Sequence, residues 1–513
     1  MGPDGLTRRD RDLIRDVLAR YPEVCRVTLF GSRAMGTFGR GSDIDLALEG
    51  PDLHARTLTR IATELEDSDL PYKVDLLLRD EQLEPKLEAH IRRYGKSFGW
   101  VTSRLEELSV NFDGKRKPVK GSDRRPGPYP YYGASGVVDH VDDYLFDGEY
   151  LLVAEDGENL RTRQTPIAFL ARGQFWVNNH AHIIRGNKRA DTRFLMYAIR
   201  HADIDAYLTG AVMPKLTQGN LKRIKILHPS LDEQRAIASV LGALDDKIEQ
   251  NRRTAQALEQ LARAIFRAWF VDFEPIKAKA AGATTFPSMP QPVFDALPTK
   301  LIDSAIGLVP EGWAVKALSD AFEVNPKRRL PKGASAPYLD MKNMPTDGHA
   351  PEGWGNREVG SGMKFVNGDT LVARITPCLE NGKTAFVDFL PDGQAGWGST
   401  EYIVLRPKSP LPDVFAYCLA RTDEFRDYAI QNMTGTSGRQ RVAAAAMDHY
   451  QIAVSTDDVA IAYGETVDPM FAVVRAGMNE SSKLAKMRDY LLPKLLSGGV
   501  RVNNTKRFLG MVT

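Results

Sequence analysis

Two carboxylates stand two apart in Ser42-Asp43-Ile44-Asp45-Leu46-Ala47-Leu48, and a third follows in Lys73-Val74-Asp75-Leu76-Leu77-Leu78. Both stretches read as strands. Residues two apart on a strand share a face, so Asp43 and Asp45 are expected to project together while Ile44 and Leu46 turn to the core. Carboxylates about 6–7 Å apart along a strand can share divalent cations, and Asp75 from a neighbouring strand would complete the set. Upstream, a strand expected over Val24–Phe30 runs straight into Gly31-Ser32-Arg33-Ala34. Glycine lets backbone approach a phosphate, and a following helix N-terminus favours anions. Mg²⁺ on Asp43, Asp45 and Asp75, with Gly31 and Ser32 at a nucleoside triphosphate, is the machinery of two-metal nucleotidyl transfer. One ion would lower the pKa of the attacking hydroxyl and the other would stabilise the leaving pyrophosphate. An Asp-x-Asp pair is also common as a solvated strand end, so competence for catalysis stays open.

The elements that must hold these residues fill positions 1–96. Leu6, Leu13, Ile14, Val17, Leu18 and Tyr21 put an apolar stripe on an opening helix, which would cover the three strands. With Gly-Ser at 31–32, Asp-x-Asp at 43–45 and the single Asp75, this stretch resembles the minimal members of the DNA polymerase beta-like nucleotidyltransferases. The resemblance implies a small α/β domain using Mg²⁺ and a nucleoside triphosphate. Appended domains of this kind also serve as binding or antitoxin-like modules.

The rest of the chain is organised around Leu216–Phe273. Ile237, Leu241, Leu244, Ile248, Ala255, Leu258, Ala262, Ile265 and Trp269 follow steps of four and three, a coiled-coil seam. Asn251 interrupts it, and a lone polar seam residue sets register and partner. Ser230 and Glu233 form a capping box, so a continuous helix of roughly 60 Å is expected from Asp232 to Phe273. Its partner lies in the same chain: Val442–Leu496 repeats the plan with Val467, Met470, Val474, Met478, Ser481, Leu484, Leu491 and Leu495. Leu216 maps to Val442 and Ile265 to Leu491, each 226 positions on.

Each long helix follows a mixed α/β globule, and the globules repeat in order. Trp100–Leu105 parallels Trp313–Leu318, Gly148–Leu151 answers Gly368–Leu371, and Phe194 answers Phe415. The basic run Lys115, Arg116, Lys117 and Lys120 returns as Lys327, Arg328, Arg329 and Lys332. A charge run is usually a solvated face, but recurrence in both repeats favours contacts to the phosphates of double-stranded DNA. Asn178, Asn179, His180, Arg374 and Arg439 are candidates for base hydrogen bonds, although each alone better suits a structural role or a phosphate contact. His180-x-His182 makes a poor metal site without further ligands. Gly382-Lys383-Thr384 fails as a phosphate loop, because Pro377 stands where the first glycine belongs. Pro287, Pro290, Pro292 and Pro298 mark 278–309 as a linker.

Leu216–Leu221 running into Ile224-Lys225-Ile226, then Asp232–Ala238, Phe266–Pro275, Leu308–Trp313 and Tyr131–Gly136, together resemble the specificity subunit of type I restriction–modification systems. The resemblance implies two target-recognition domains, each reading half of a split DNA site, held by two antiparallel helices that dock two methyltransferase (modification) subunits beside restriction/translocase subunits. The expected organisation is α+β and multidomain. It comprises a nucleotidyltransferase-like domain over 1–96, recognition domains over 97–230 and 310–455, helices over 231–277 and 456–502, the linker, and a tail over 503–513. No methyltransferase, S-adenosylmethionine or helicase motif occurs, so S-adenosylmethionine and ATP chemistry would belong to partners. The alternative is a Mg²⁺-dependent nucleotidyltransferase that modifies a protein or nucleic acid and is targeted by the recognition domains.

Composition bounds these readings. A chain of 513 residues with 43% apolar and 26% charged content is ordinary for about three globular domains. A net charge of +2 places any nucleic-acid affinity in local clusters. Three dispersed cysteines, Cys25, Cys378 and Cys418, and the lack of a bilayer-length apolar run, fit a reducing cytoplasmic setting without a membrane partner.

Overall fold

The computed structural model describes residues 4–502 apart from 19, 22, 25, 51–52, 81–82, 99–100, 211, 230, 352, 437, 498–499 and 501. The capping residue Ser230, Cys25, Trp100 and the tail 503–513 therefore lie outside the described residues. Two units divide the chain: residues 1–246 with 484–513, and residues 247–483.

The first unit opens with helix α1 (Arg8–Leu18), strand β1 (Arg26–Phe30), the short helix α2 (Gly31–Met35), β2 (Ile44–Glu49), α3 (Ala55–Glu66), β3 (Val74–Leu78), α4 (Pro85–Tyr94) and β4 (Lys96–Ser97). The sheet order is β3-β2-β1-β4, with β2 parallel to β3 and antiparallel to β1. Ile44, Leu46 and Leu48 alternate onto the buried face against Ile14, Leu18, Ile61 and Leu65 of the helices. Strand β2 starts two residues later than expected. The buried Arg33 guanidinium takes the carbonyls of Ser42 (2.6 Å) and Asp43 (3.0 Å), so those groups turn away from the ladder.

The globule that follows has two four-stranded sheets. One runs Ala168–Ala171, Tyr150–Ala154, Ala181–Gly186, Ser109–Asn111; the other runs Gly136–Val141, Tyr129–Gly133, Gln174–Val177, Phe146–Asp147. The apolar run Leu151–Ala154 is buried throughout, as a central strand covered on both faces requires. Val101–Arg104 pairs with Lys225–His228, which leads into the long helix Leu231–Phe266.

The globule of the second unit repeats this topology strand for strand. Its sheets run Thr384–Phe386, Thr370–Ala373, Tyr402–Pro407, Phe322–Val324 and Gly355–Glu358, Ser335–Leu339, Ala395–Gly398, Lys364–Val366. Ala314–Ala317 pairs with Gln451–Val454 before the second long helix, Asp457–Leu496. The expected linker is folded. Gln291–Ala296 forms a helix, Leu301–Ser304 and Gly307–Pro310 form a hairpin, and Phe294 and Leu297 are buried in the core. Pro292 there occupies a first-turn helix position, where its missing N–H costs nothing.

The two long helices pack together. In the first unit Ile237, Leu241 and Leu244 meet Leu491 and Leu495, and Asp245 accepts from Arg488 and the Tyr197 hydroxyl, each at 2.7 Å. In the second, Asn251 Nδ2 donates to the Gly477 carbonyl (3.2 Å), Glu480 (2.7 Å) and Ser481 (3.3 Å), and Tyr463 packs on Phe266 and Trp269. Partners descend along one helix as they rise along the other, the antiparallel order. The first helix does not run regularly to Phe273. It loosens into a π turn over Arg267–Val271, which seats Phe270 among Trp313, Phe415 and Tyr463, and stops at Phe273 with φ of 53°.

Within the second unit a buried charge fastens the first helix to the globule. His349 faces Glu259 at 3.4 Å and Asp388 at 3.2 Å, and Glu259 also accepts from the Tyr417 hydroxyl at 2.5 Å. Burial opposes the imidazolium, but the Asp388 and Glu259 carboxylates prevail and raise its pKa to about 9. A raised histidine contributes stability fully present below about 6.5 and lost as pH climbs through about 9, worth on the order of 3 kcal/mol. Chemical denaturation of the second unit should therefore weaken between pH 6.5 and 10 in the wild type. His349→Gln should be less stable at pH 6.5 and nearly flat across that window.

Candidate functional site

Asp45 and Asp75 come together at one end of the N-terminal sheet. Asp45 lies opposite Asp75 in the parallel β2–β3 register and opposite Phe30 in β1, directly before Gly31. Gly31 has φ of +67°, and a Cβ there would sit 2.1 Å from Asp45 Oδ2, so only glycine lets the turn pass this carboxylate. Burial raises the Asp45 pKa first, and the charges of Asp75 and Asp43 raise it further. Asp43 stands just outside β2, exposed, on the loop that Arg33 holds. Ser32 is half-buried, and its carbonyl receives the Thr37 amide at 3.0 Å.

The same-face strand pairing expected of Asp43 and Asp45 is replaced by a loop–strand pair, because β2 begins at Ile44. Lys73, which carried no role in the sequence reading, places Nζ 2.7 Å from Asp75 Oδ1. Among the described residues no three His, Cys, Asp or Glu side chains gather as a metal-ligand group. The donor chemistry nevertheless suits a hard cation: the three acids offer only oxygen, and Asp45 carries repulsion that a cation would relieve.

Arg33, also missed as a positioning residue, is 1% exposed and donates to the backbone carbonyls of Asp4, Ser42 and Asp43. It stacks 4.3 Å from the Tyr72 ring centroid. No carboxylate at a regular spacing could have announced such a partnership in the sequence.

The two basic runs are sorted alike. Lys115, Lys117 and Lys120 are exposed, as are Lys327, Arg329 and Lys332. Arg116 instead turns inward, 2.8 Å from Glu155 and 3.5 Å from Asp113, and donates to the Ala181 carbonyl at 2.7 Å. Its counterpart Arg328 meets the fully buried Asp369 at 2.9 Å, alongside Arg406 at 2.7 Å. Arg116 and Arg328 thus brace their loops. Burial works against the Asp113 charge, but His182 at 2.6 Å, the Ile183 amide and Arg116 bring its pKa down to about 2.

Of the base-reading candidates, Asn178 is buried and caps the His180 amide, and His180 meets Asp156 at 2.8 Å. Arg374 pairs with Glu401 at 3.1 Å, whereas Asn179 and Arg439 are exposed. Lys383 donates to the Met341 carbonyl at 2.7 Å, a structural post rather than a phosphate clamp.

Known proteins supply three kinds of likeness. Residues 98–260 match the type I restriction modification DNA specificity domain, and residues 12–98 match the polymerase beta nucleotidyltransferase family. A Haemophilus influenzae protein described as a type I restriction enzyme specificity subunit is 37% identical over 140 residues, which is 27% of this chain and 36% of that relative. The MjaIX specificity subunit of Methanocaldococcus jannaschii is 23% identical over 431 residues, 79% of this chain and 94% of the relative. In fold, the chain is similar to the S subunit of the M. genitalium type I restriction-modification system, with a TM-score of 0.50 at 16% identity, covering 77% of this chain and 96% of that one. Among the described residues no helix is long and apolar enough to cross a membrane.

The crowding of Asp45 has a measurable consequence. A carboxyl whose folded pKa is raised loses stability as pH climbs from its ordinary value near 4 through the folded value. Asp45→Asn should therefore slow hydrogen exchange of the β1 and β2 amides at pH 7, while at pH 4 variant and wild type should be alike.

Proposed function

Because this chain is a type I restriction–modification specificity subunit with an N-terminal polymerase beta-like nucleotidyltransferase domain, we propose that its two globules are target-recognition domains, each reading one half of a split double-stranded DNA site. The observation that carries this is the strand-for-strand repetition of the globules, each followed by one of two mutually packed helices. One polypeptide then presents two similar DNA-facing modules, the counterpart of a dimeric DNA reader. Lys115, Lys117, Lys120, Lys327, Arg329 and Lys332 are assigned to phosphates, where they supply affinity that falls with salt. Two modification subunits dock on the paired helices, restriction subunits join through them, and those partners bring S-adenosylmethionine and ATP.

A second reading applies to the N-terminal domain, favoured by the register of Asp45 with Asp75 beside Gly31. Asp43, Asp45 and Asp75 would hold Mg²⁺, and Gly31 and Ser32 would adjoin a nucleoside triphosphate. Bound Mg²⁺ supplies positive charge to the triphosphate. The chain itself orients the acids through Arg33, leaves room at Gly31, and keeps Lys73 beside Asp75 as a local counter-charge.

Methylation mapping in a host carrying this chain with its modification and restriction partners should yield one bipartite motif, and a genome without any such motif would count decisively against the recognition assignment. For the N-terminal domain, labelled ATP with Mg²⁺ should mark an acceptor in the assembled complex. An Asp43→Ala/Asp45→Ala variant should lower that signal at least a hundredfold, and equal signals from both proteins would remove the transferase reading.

A further inference from the structure

Each globule projects a hairpin that neither basic loop nor sheet accounts for. In the first, Thr209 and Lys215 exchange both backbone hydrogen bonds, at 2.8 and 2.7 Å. The Gly157 amide donates to the Pro214 carbonyl at 3.1 Å, and the Leu216 amide to the Glu155 carbonyl at 2.8 Å. In the second, Met433–Thr434 pairs with Arg441–Val442. The Thr376 amide donates to the Gln440 carbonyl at 3.0 Å, and the Val442 amide to the Arg374 carbonyl at 2.9 Å. The braces fall on equivalent residues: Pro214 answers Gln440 and Leu216 answers Val442 at one offset, while Glu155 answers Arg374 and Gly157 answers Thr376 at another. The two stems are thus anchored alike in two diverged globules.

The tips differ. In the first globule Val212 is 96% exposed and Met213 63%, two adjacent apolar side chains presented to water from a braced stem. Gly210, at φ of +88°, makes the turn, and a Cβ there would lie 2.2 Å from the Met213 carbonyl oxygen. Single exposed apolar residues are ordinary, but these two stand beside Arg161 and Lys215. Exposed Arg161 donates to the Gly210 carbonyl at 3.2 Å. Lys215 lies 3.4 Å from Glu155, and Glu155 also holds Arg116, whose loop carries Lys115, Lys117 and Lys120. An apolar tip flanked by Arg161 and Lys215 fits a nucleic-acid groove, where apolar side chains meet thymine methyls or wedge between base steps. In the second globule the tip bears exposed Thr436 and Arg439 instead, and arginine suits the O6 and N7 acceptors of guanine.

We propose that these hairpins are the specificity fingers of the two globules: Val212 and Met213 make apolar contact with bases of one half-site, and Arg439 hydrogen-bonds a base of the other. This rests on the DNA-recognition reading above. The assembled complex with its modification subunits is measured against its mapped duplex and a random duplex over a salt series, as wild type, Val212→Ser/Met213→Ser, Arg439→Ala and Lys117→Ala/Lys120→Ala. Each tip variant should lose about tenfold or more on the mapped duplex, with little change on the random one, an unchanged salt slope and unchanged co-purification of partners. The lysine variant should weaken both duplexes and flatten the slope. Tip variants within twofold of wild type on the mapped duplex would overturn the fingers while leaving DNA recognition intact. Loss of partner co-purification with DNA affinity kept per assembled complex would also overturn them, assigning the tips to a protein surface. A wild-type complex that prefers no duplex would fell the recognition reading and the fingers together.

Discussion

An α-helix of 36 residues with one apolar stripe cannot leave that stripe in water, and the structure depends on how this constraint is met. The cover comes from the same chain. The last turns of the second long helix lie on Ile237, Leu241 and Leu244, and its earlier turns lie on the stretch around Ala262 and Phe266. Apolar contact alone would tolerate a slip by one turn. The polar members of the seam resist it, since Asn251 finds three acceptors and Asp245 finds Arg488 only in the observed register.

The same economy explains how the basic runs are divided. Each offers several cations in a row, and in each one arginine is drawn in: Arg116 to Glu155 and Asp113, Arg328 to Asp369. A planar guanidinium can satisfy several oxygens while partly buried, whereas a lysine ammonium is better left hydrated. The loop is thereby pinned at its centre and its lysines are left exposed.

Periodicity and order carried most of the architecture. Two long helices, two repeated globules and the polar position at 251 were legible because each is written as local spacing or as self-similarity. What escaped was written in three dimensions. The prolines at 287–298 read as a linker, yet Phe294 and Leu297 are claimed by the core of the second unit. The π turn at Arg267–Val271 follows from the needs of Trp313, Phe415 and Tyr463, residues distant in sequence. In the N-terminal site, Gly31, Asp45 and Asp75 stood out as residue types at a telling spacing. Lys73 and Arg33 did not, because their partners, a carboxylate two residues on and three loop carbonyls, follow no pattern that a linear reading can score.

The junction between the N-terminal domain and the first globule carries the last consequence. Strand β4 is the edge of the N-terminal sheet, and the next residue, Phe98, is buried in that domain's core with its amide on the Val27 carbonyl at 2.8 Å. Val101 already belongs to the strand that pairs with Lys225–His228, three residues ahead of the long helix. From Phe98 to Val101 the chain can span at most about 11 Å, so it offers little slack to decouple one domain from the other.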